Sequence, residues 1–152
     1  WIVRAPGVTK PGSLCDSPVI STDFYATLLD LTGQSTKLAP KDSFSFKRLL
    51  AGGKASRAPL FWHYPHYGNQ GGAPYGAVRD GDWKLIEWYE DGKLELFNLR
   101  DDLGERNNLA GKETKIAAKL LAKLKAWRTD VKALMPTPNP NPPPTYYTRA
   151  KQ

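Results

Sequence analysis

A chain of 152 residues, 40% apolar and 24% charged, has the length for one domain with appendages and for a core that needs no staples. It contains no run of 18 apolar residues, its first residues lack the apolar stretch of a secretory signal, and its single cysteine, Cys15, excludes an internal disulfide framework or a Cys-rich zinc site. The net charge of +7 is localised: residues 1–111 carry 13 Lys/Arg and 13 Asp/Glu, residues 112–135 carry seven against two, and residues 136–152 add Arg149 and Lys151. The body is neutral, and the basic excess reads as the solvated face of one helix plus a tail. It gives no reason to expect a nucleic-acid or membrane partner.

In chain order, Trp1-Ile2-Val3 is a short apolar run ended by the Pro6-Gly7 turn, a second turn follows at Pro11-Gly12, and Pro18-Val19-Ile20 is an extended link. Ser21-Thr22-Asp23 offers capping oxygens, and Phe24, Leu28 and Leu31 at i, i+4 and i+7, with Tyr25 and Leu29 alongside, predict a helix over 22–32 closed by Gly33. Asp42-Ser43 before Phe46, Leu49 and Leu50, then Gly52-Gly53, predicts a shorter helix. Residues 60–64 and 75–80 have strand composition, and the segment from Pro65 to Gly72 between them is loop. Residues 83–89 and 93–99 flank Glu90-Asp91-Gly92, a hairpin signal. Ile116, Leu120, Leu124, Trp127, Val131 and Leu134 then follow at intervals of 3 and 4, the spacing of one helical face. That face fits the apolar side of the meander, with Trp127 as its largest anchor and Pro136 as its stop. Six prolines in residues 136–152 make the tail polyproline-like or disordered.

Chemistry-bearing motifs are sparse. Cys15 has no helix N-terminus beside it to activate it, and no nucleophile elbow, zinc-protease, phosphate-loop or dinucleotide fingerprint occurs. Asp101, Asp102 and Glu105 read as an acidic loop paired locally with Arg100 and Arg106. His63 and His66 stand at a strand-to-loop junction rich in aromatics. Two histidines cannot complete a zinc site, but His, Tyr and Asn beside aromatic faces suit a polar ligand such as a sugar. The competing reading makes Trp62 and Tyr64 core and the histidines loop supports. Arg79 in Arg79-Asp80-Gly81-Asp82 is either an anion contact or part of a plain turn.

Several phrases together resemble one family. Val3-Arg4-Ala5-Pro6-Gly7-Val8, Pro18-Val19-Ile20-Ser21-Thr22-Asp23-Phe24-Tyr25-Ala26-Thr27-Leu28-Leu29, Leu60-Phe61-Trp62-His63-Tyr64-Pro65-His66-Tyr67, Ala77-Val78-Arg79-Asp80-Gly81-Asp82-Trp83-Lys84-Leu85-Ile86, Leu96-Phe97-Asn98-Leu99 and Asn107-Asn108-Leu109-Ala110 are similar to the C-terminal part of formylglycine-dependent sulfatases. The likeness is to bacterial arylsulfatase A-like enzymes of the alkaline-phosphatase-like superfamily. It implies an α+β fold: a four-stranded antiparallel sheet covered by a long C-terminal helix, preceded by an edge strand and helix of a larger α/β domain. The implied division is a catalytic-domain remnant at 1–33, a connecting segment at 34–59, a C-terminal subdomain at 60–135 and a Pro-rich tail at 136–152.

The departures bear on function. Cys15-Asp16-Ser17-Pro18-Val19 has Val19 where the family's formylglycine motif has arginine, so Cys15 is not that nucleophile. Asp42-Ser43 stands where the family usually has Asp-Gly. The resemblance therefore implies a fragment of a sulfuric-ester hydrolase that is inactive alone, its calcium and formylglycine lying in the complete enzyme with a missing N-terminal domain. His63, His66, Asn69 and Arg79 are its candidate substrate-binding residues, for a sulfated carbohydrate or aryl sulfate. The alternative is a stand-alone anion- or sugar-binding module. The resemblance further implies a periplasmic or secreted location, and Leu28, Leu29 and Val19-Ile20, without the larger domain to cover them, imply self-association of the isolated chain.

Overall fold

The structure, a computed structural model, describes residues 1–68 and 71–141, and the chain divides into two compact units, residues 1–57 and 58–152. No helix among the described residues is long and apolar enough to cross a membrane.

The first unit contains helices α1 (Asp23–Leu31) and α2 (Lys47–Leu50), with one 3-10 turn at Thr36–Leu38 between them. Residues 1–20 form turns and unpaired backbone rather than the expected edge strand, because this unit contains no described strand that could pair with them. Helix α1 also buries the other face from the one its apolar spacing marks out. Phe24, Tyr25 and Leu28 are 45%, 51% and 49% exposed, whereas Asp23, Ala26 and Thr27 are buried.

The reason is a hydrogen-bonded seam. Asp23, Thr27 and Asp30 recur at i, i+4 and i+7, and this polar stripe takes up the segment 43–47. Asp23 Oδ1 accepts the Phe44 amide at 3.0 Å, Thr27 Oγ1 accepts the Phe46 amide at 3.0 Å, and Asp30 accepts from Ser45 Oγ at 2.6 Å and Lys47 Nζ at 3.1 Å. Asp23 Oδ2 also accepts the Ile20 amide at 2.9 Å and Arg57 Nη1 at 2.5 Å. A wholly buried carboxylate is thus held by two backbone donors and one guanidinium, the pairing such burial requires. The Ser45 and Lys47 donors hold the Asp30 carboxyl below its ordinary 3.8.

The second unit is a meander of β1 (Leu60–Tyr64), β2 (Tyr75–Asp80), β3 (Trp83–Trp88) and β4 (Leu94–Asn98), paired antiparallel in sequence order, followed by α3 (Thr114–Asp130). The pairing aligns Phe61, Val78, Leu85 and Leu96 across the sheet. Val78, Leu85 and Leu96 are fully buried with Ala117, Leu120 and Leu124 of α3, and Phe61 stacks on Trp127 at 5.0 Å with 6° between the planes. The apolar intervals of the sequence thus produce the sheet-and-helix layer as expected. At the turns, Gly92 takes a left-handed φ of 69° in the β3–β4 hairpin. Asp102 accepts the Arg106 and Asn107 amides, which lowers its carboxyl, while Glu105 pairs with Lys84 at 2.7 Å rather than with the adjacent arginine.

Helix α3 ends at Asp130, five residues short of where Pro136 would stop it, and Val131 and Leu134 are exposed. Its end is a Schellman turn: the Lys132 amide donates to Thr129 O at 3.1 Å and the Ala133 amide to Arg128 O at 2.9 Å. All three helices close this way. Gly33 and Gly52 occupy the left-handed position after α1 and α2, but Lys132, at φ 52°, occupies it after α3.

Replacing the buried acid of the seam, Asp23→Asn, strands the Arg57 guanidinium in low dielectric. Urea unfolding is expected to show a loss of about 3 kcal/mol, whereas Asp42→Asn on the exposed surface leaves the midpoint unchanged.

Candidate functional site

The pleat places neighbouring residues of β1 on opposite faces of the sheet, so His63 and Tyr64 enter different environments. His63 aligns with Gly76 and Glu87 on the α3 side. Its Nε2 lies 2.9 Å from the Leu134 carbonyl oxygen and its Nδ1 lies 2.7 Å from Tyr89 Oη. A carbonyl only accepts, so Nε2 carries a proton; in the neutral ring Nδ1 accepts from the Tyr89 hydroxyl. Both ring nitrogens are therefore committed within the chain, and His63 joins β1 to the segment after α3.

Tyr89 can lie over the sheet because Gly76 has no side chain. A Cβ there would come within 2.4 Å of Tyr89 Oη. The network continues to Arg128, whose Cζ lies 5.3 Å from the centre of the Tyr89 ring and whose Nη2 lies 2.6 Å from Glu87 Oε2. Burial pushes the Tyr89 phenol up, and Arg128 opposes that rise. The sequence reading missed Glu87, Tyr89 and Arg128. The available signal was Gly76 inside a strand, which marks a close approach.

On the sheet's other face, Tyr64, Tyr75 and Trp88 align across three strands. Their rings stand 5.8 Å and 5.7 Å apart, and His66 meets Tyr64 edge-on at 4.8 Å. Tyr67 Oη donates to Glu90 Oε1 at 2.6 Å, which raises the Tyr67 phenol. His66 is exposed and makes no side-chain hydrogen bond among the described residues. This rim offers ring faces, a free imidazole and a Tyr–Glu pair, the chemistry that grips a sugar by its C–H face and hydroxyls.

The four candidate residues thus separate. His66 belongs to the rim, His63 to the network beneath, and Asn69 lies outside the described residues. Arg79 is four residues along β2 from Tyr75, about 13 Å at the rise of a strand, where its Nε donates to Gly81 O at 3.3 Å. The structure does not bring Arg79 to the rim. No three of His, Cys, Asp or Glu converge on a metal-sized space among the described residues, which do not fit a calcium site. Cys15 is exposed.

The sequence matches the family described as N-sulphoglucosamine sulphohydrolase, C-terminal, over residues 1–130. The chain belongs to this sulfatase family. A sulfatase of Formosa agariphila is 34% identical over 143 residues, 83% of this chain and 26% of that protein. A 2-O GAG sulfatase has a similar structure, with 29% identity and a TM-score of 0.60 over 73% of this chain and 25% of the other. A second structure, in complex with its substrate D-glucosamine-2-N,6-O-disulfate, is 28% identical, with a TM-score of 0.58 over 72% of this chain and 24% of the other. The chain therefore spans about a quarter of the length of these relatives.

Gly76→Ala tests the close approach that builds the network of this sulfatase segment. The added methyl displaces Tyr89 and frees His63, costing about 1–3 kcal/mol on the scale of overpacked sites. Thermal unfolding reads the loss, and Tyr89→Phe in the same chain recovers part of it by removing the oxygen that the methyl meets.

Proposed function

We propose that the chain supplies the substrate-recognition end of a sulfuric-ester hydrolase acting on a sulfated sugar. The observation that carries this reading is the rim on a family-matched sheet where the exposed Tyr64 and His66 adjoin the half-buried Tyr75 and Trp88. In it, His66 contacts substrate, His63 positions β1 beneath the rim, and Arg79 reaches a more distant part of the ligand. Asn69 completes the candidate set from the sequence.

Formylglycine and calcium, in this reading, belong to an N-terminal partner domain of the complete enzyme, which is periplasmic or secreted. The chemistry they supply there is attack on sulfur and neutralisation of the ester's charge; the described residues contribute binding and orientation. The purified 152-residue chain is expected to turn over no aryl sulfate. In the intact protein, His66→Ala is expected to raise KM for a sulfated sugar about tenfold while kcat stays within about twofold, the pattern of lost uniform binding. Turnover by the isolated chain, or an unchanged KM, overturns the reading. Sugar binding by an intact protein that hydrolyses no sulfate ester points instead to a binding module.

The partner domain also bears on solubility. Phe24, Tyr25 and Leu28 form an exposed apolar stripe on α1, and Trp1 and Ile2 are exposed as well. We expect the isolated chain to self-associate. Light scattering should show a mass rising with concentration, and Leu28→Lys should suppress the rise; a monomer at every concentration sinks the expectation.

A further inference from the structure

The end of α3 holds a feature that sheet packing leaves unexplained. The last turns of the helix and the segment after it line an open cleft of about 430 Å³, formed by Lys125, Arg128, Thr129, Lys132, Ala133 and Met135. Three cations and no acid line it. Arg128 is nine-tenths buried, with Nη2 against Glu87 and Nη1 lacking a hydrogen-bond partner among the described residues. Lys125 and Lys132 are exposed and ion-paired to nothing among the described residues, unlike Lys123, which pairs with Asp80.

Lys132 is the informative member. The negative end of the helix dipole would attract a cation to the last turn, which accounts for Arg128. It does not account for a lysine at the left-handed position, where glycine bears no strain and where α1 and α2 both carry glycine. Lys132 lines the cleft.

We infer that this cleft binds a sulfate-bearing unit of an anionic polysaccharide, at a site separate from the rim of Tyr64 and His66. The choice of polymer rests on the sulfatase reading above. The cleft has the volume of a sugar-sized site, and its charge complements a sulfated chain. It contains no aromatic ring on which a nucleic-acid base could stack. Its role is to hold the polymer, raising the local concentration of substrate without touching the reacting ester.

The test uses the intact protein and heparin as the sulfated polymer, with affinity measured at stepped salt. Lys125→Gln/Lys132→Gln is expected to weaken heparin binding about tenfold and to flatten its salt dependence, as loss of two phosphate-like contacts does on other polyanions. Lys37→Gln/Lys54→Gln, which removes the same charge from exposed positions of the first unit, should change it by less than about twofold. Turnover of a small sulfate ester should be the same in all three proteins. Equal losses in both double variants, no loss in the cleft variant, or equally tight cleft-dependent binding of duplex DNA overturns the inference. Heparin bound through the cleft by a protein that cleaves no sulfate ester would sink the sulfatase reading and leave the cleft site standing. Normal turnover with cleft-independent binding does the reverse.

Discussion

The alternation of side chains across four paired strands is the constraint on which the second unit depends. Because Phe61, Val78, Leu85 and Leu96 align, one face meets Leu120, Leu124 and Trp127 as a continuous apolar layer. The same register commits the residues two positions along. His63, Gly76 and Glu87 must then lie on the helix side, where the loss of a side chain at 76 opens space for Tyr89, and Arg128 meets the acid that would otherwise be buried alone. Tyr64, Tyr75 and Trp88, one residue over, must lie on the other side. A slip of one residue would exchange the His63 network and the rim.

That constraint explains what was legible from sequence and what was not. The strands, the hairpin and the long helix follow from period-two and 3.6-residue patterns with glycine punctuation, and these are local properties. The pair of histidines looked like one site because they lie three residues apart; the pleat and the strand end place them differently, which no local pattern reveals. The family phrases identified the chain, since their order is specific even where each is short. Arg128 escaped notice because an arginine on a lysine-rich helix looks like another solvated cation until the sheet supplies Glu87 and Tyr89.

Helix α1 shows the opposite failure. Its apolar residues have helical spacing, yet the helix turns Asp23 and Thr27 inward because unpaired backbone at residues 20, 44 and 46 needs acceptors more than Phe24 and Leu28 need cover. Polar residues at i, i+4 and i+7 were as regular as the apolar ones, and only the neighbouring segment decides which set is buried. An amphipathic pattern gives two candidate faces whenever the polar stripe can accept backbone donors.

The bond between His63 and Leu134 spans 71 residues and ties β1 to the segment that follows α3. During synthesis the imidazole emerges early and its carbonyl partner late. The meander can form while the chain is still growing, but β1 lacks its final anchor, and Tyr89 half of its setting, until residue 134 has left the ribosome. Closure of this unit is therefore timed by its far end, and a nascent chain halted within α3 presents the sheet's helix-facing side open to whatever apolar surface is nearest.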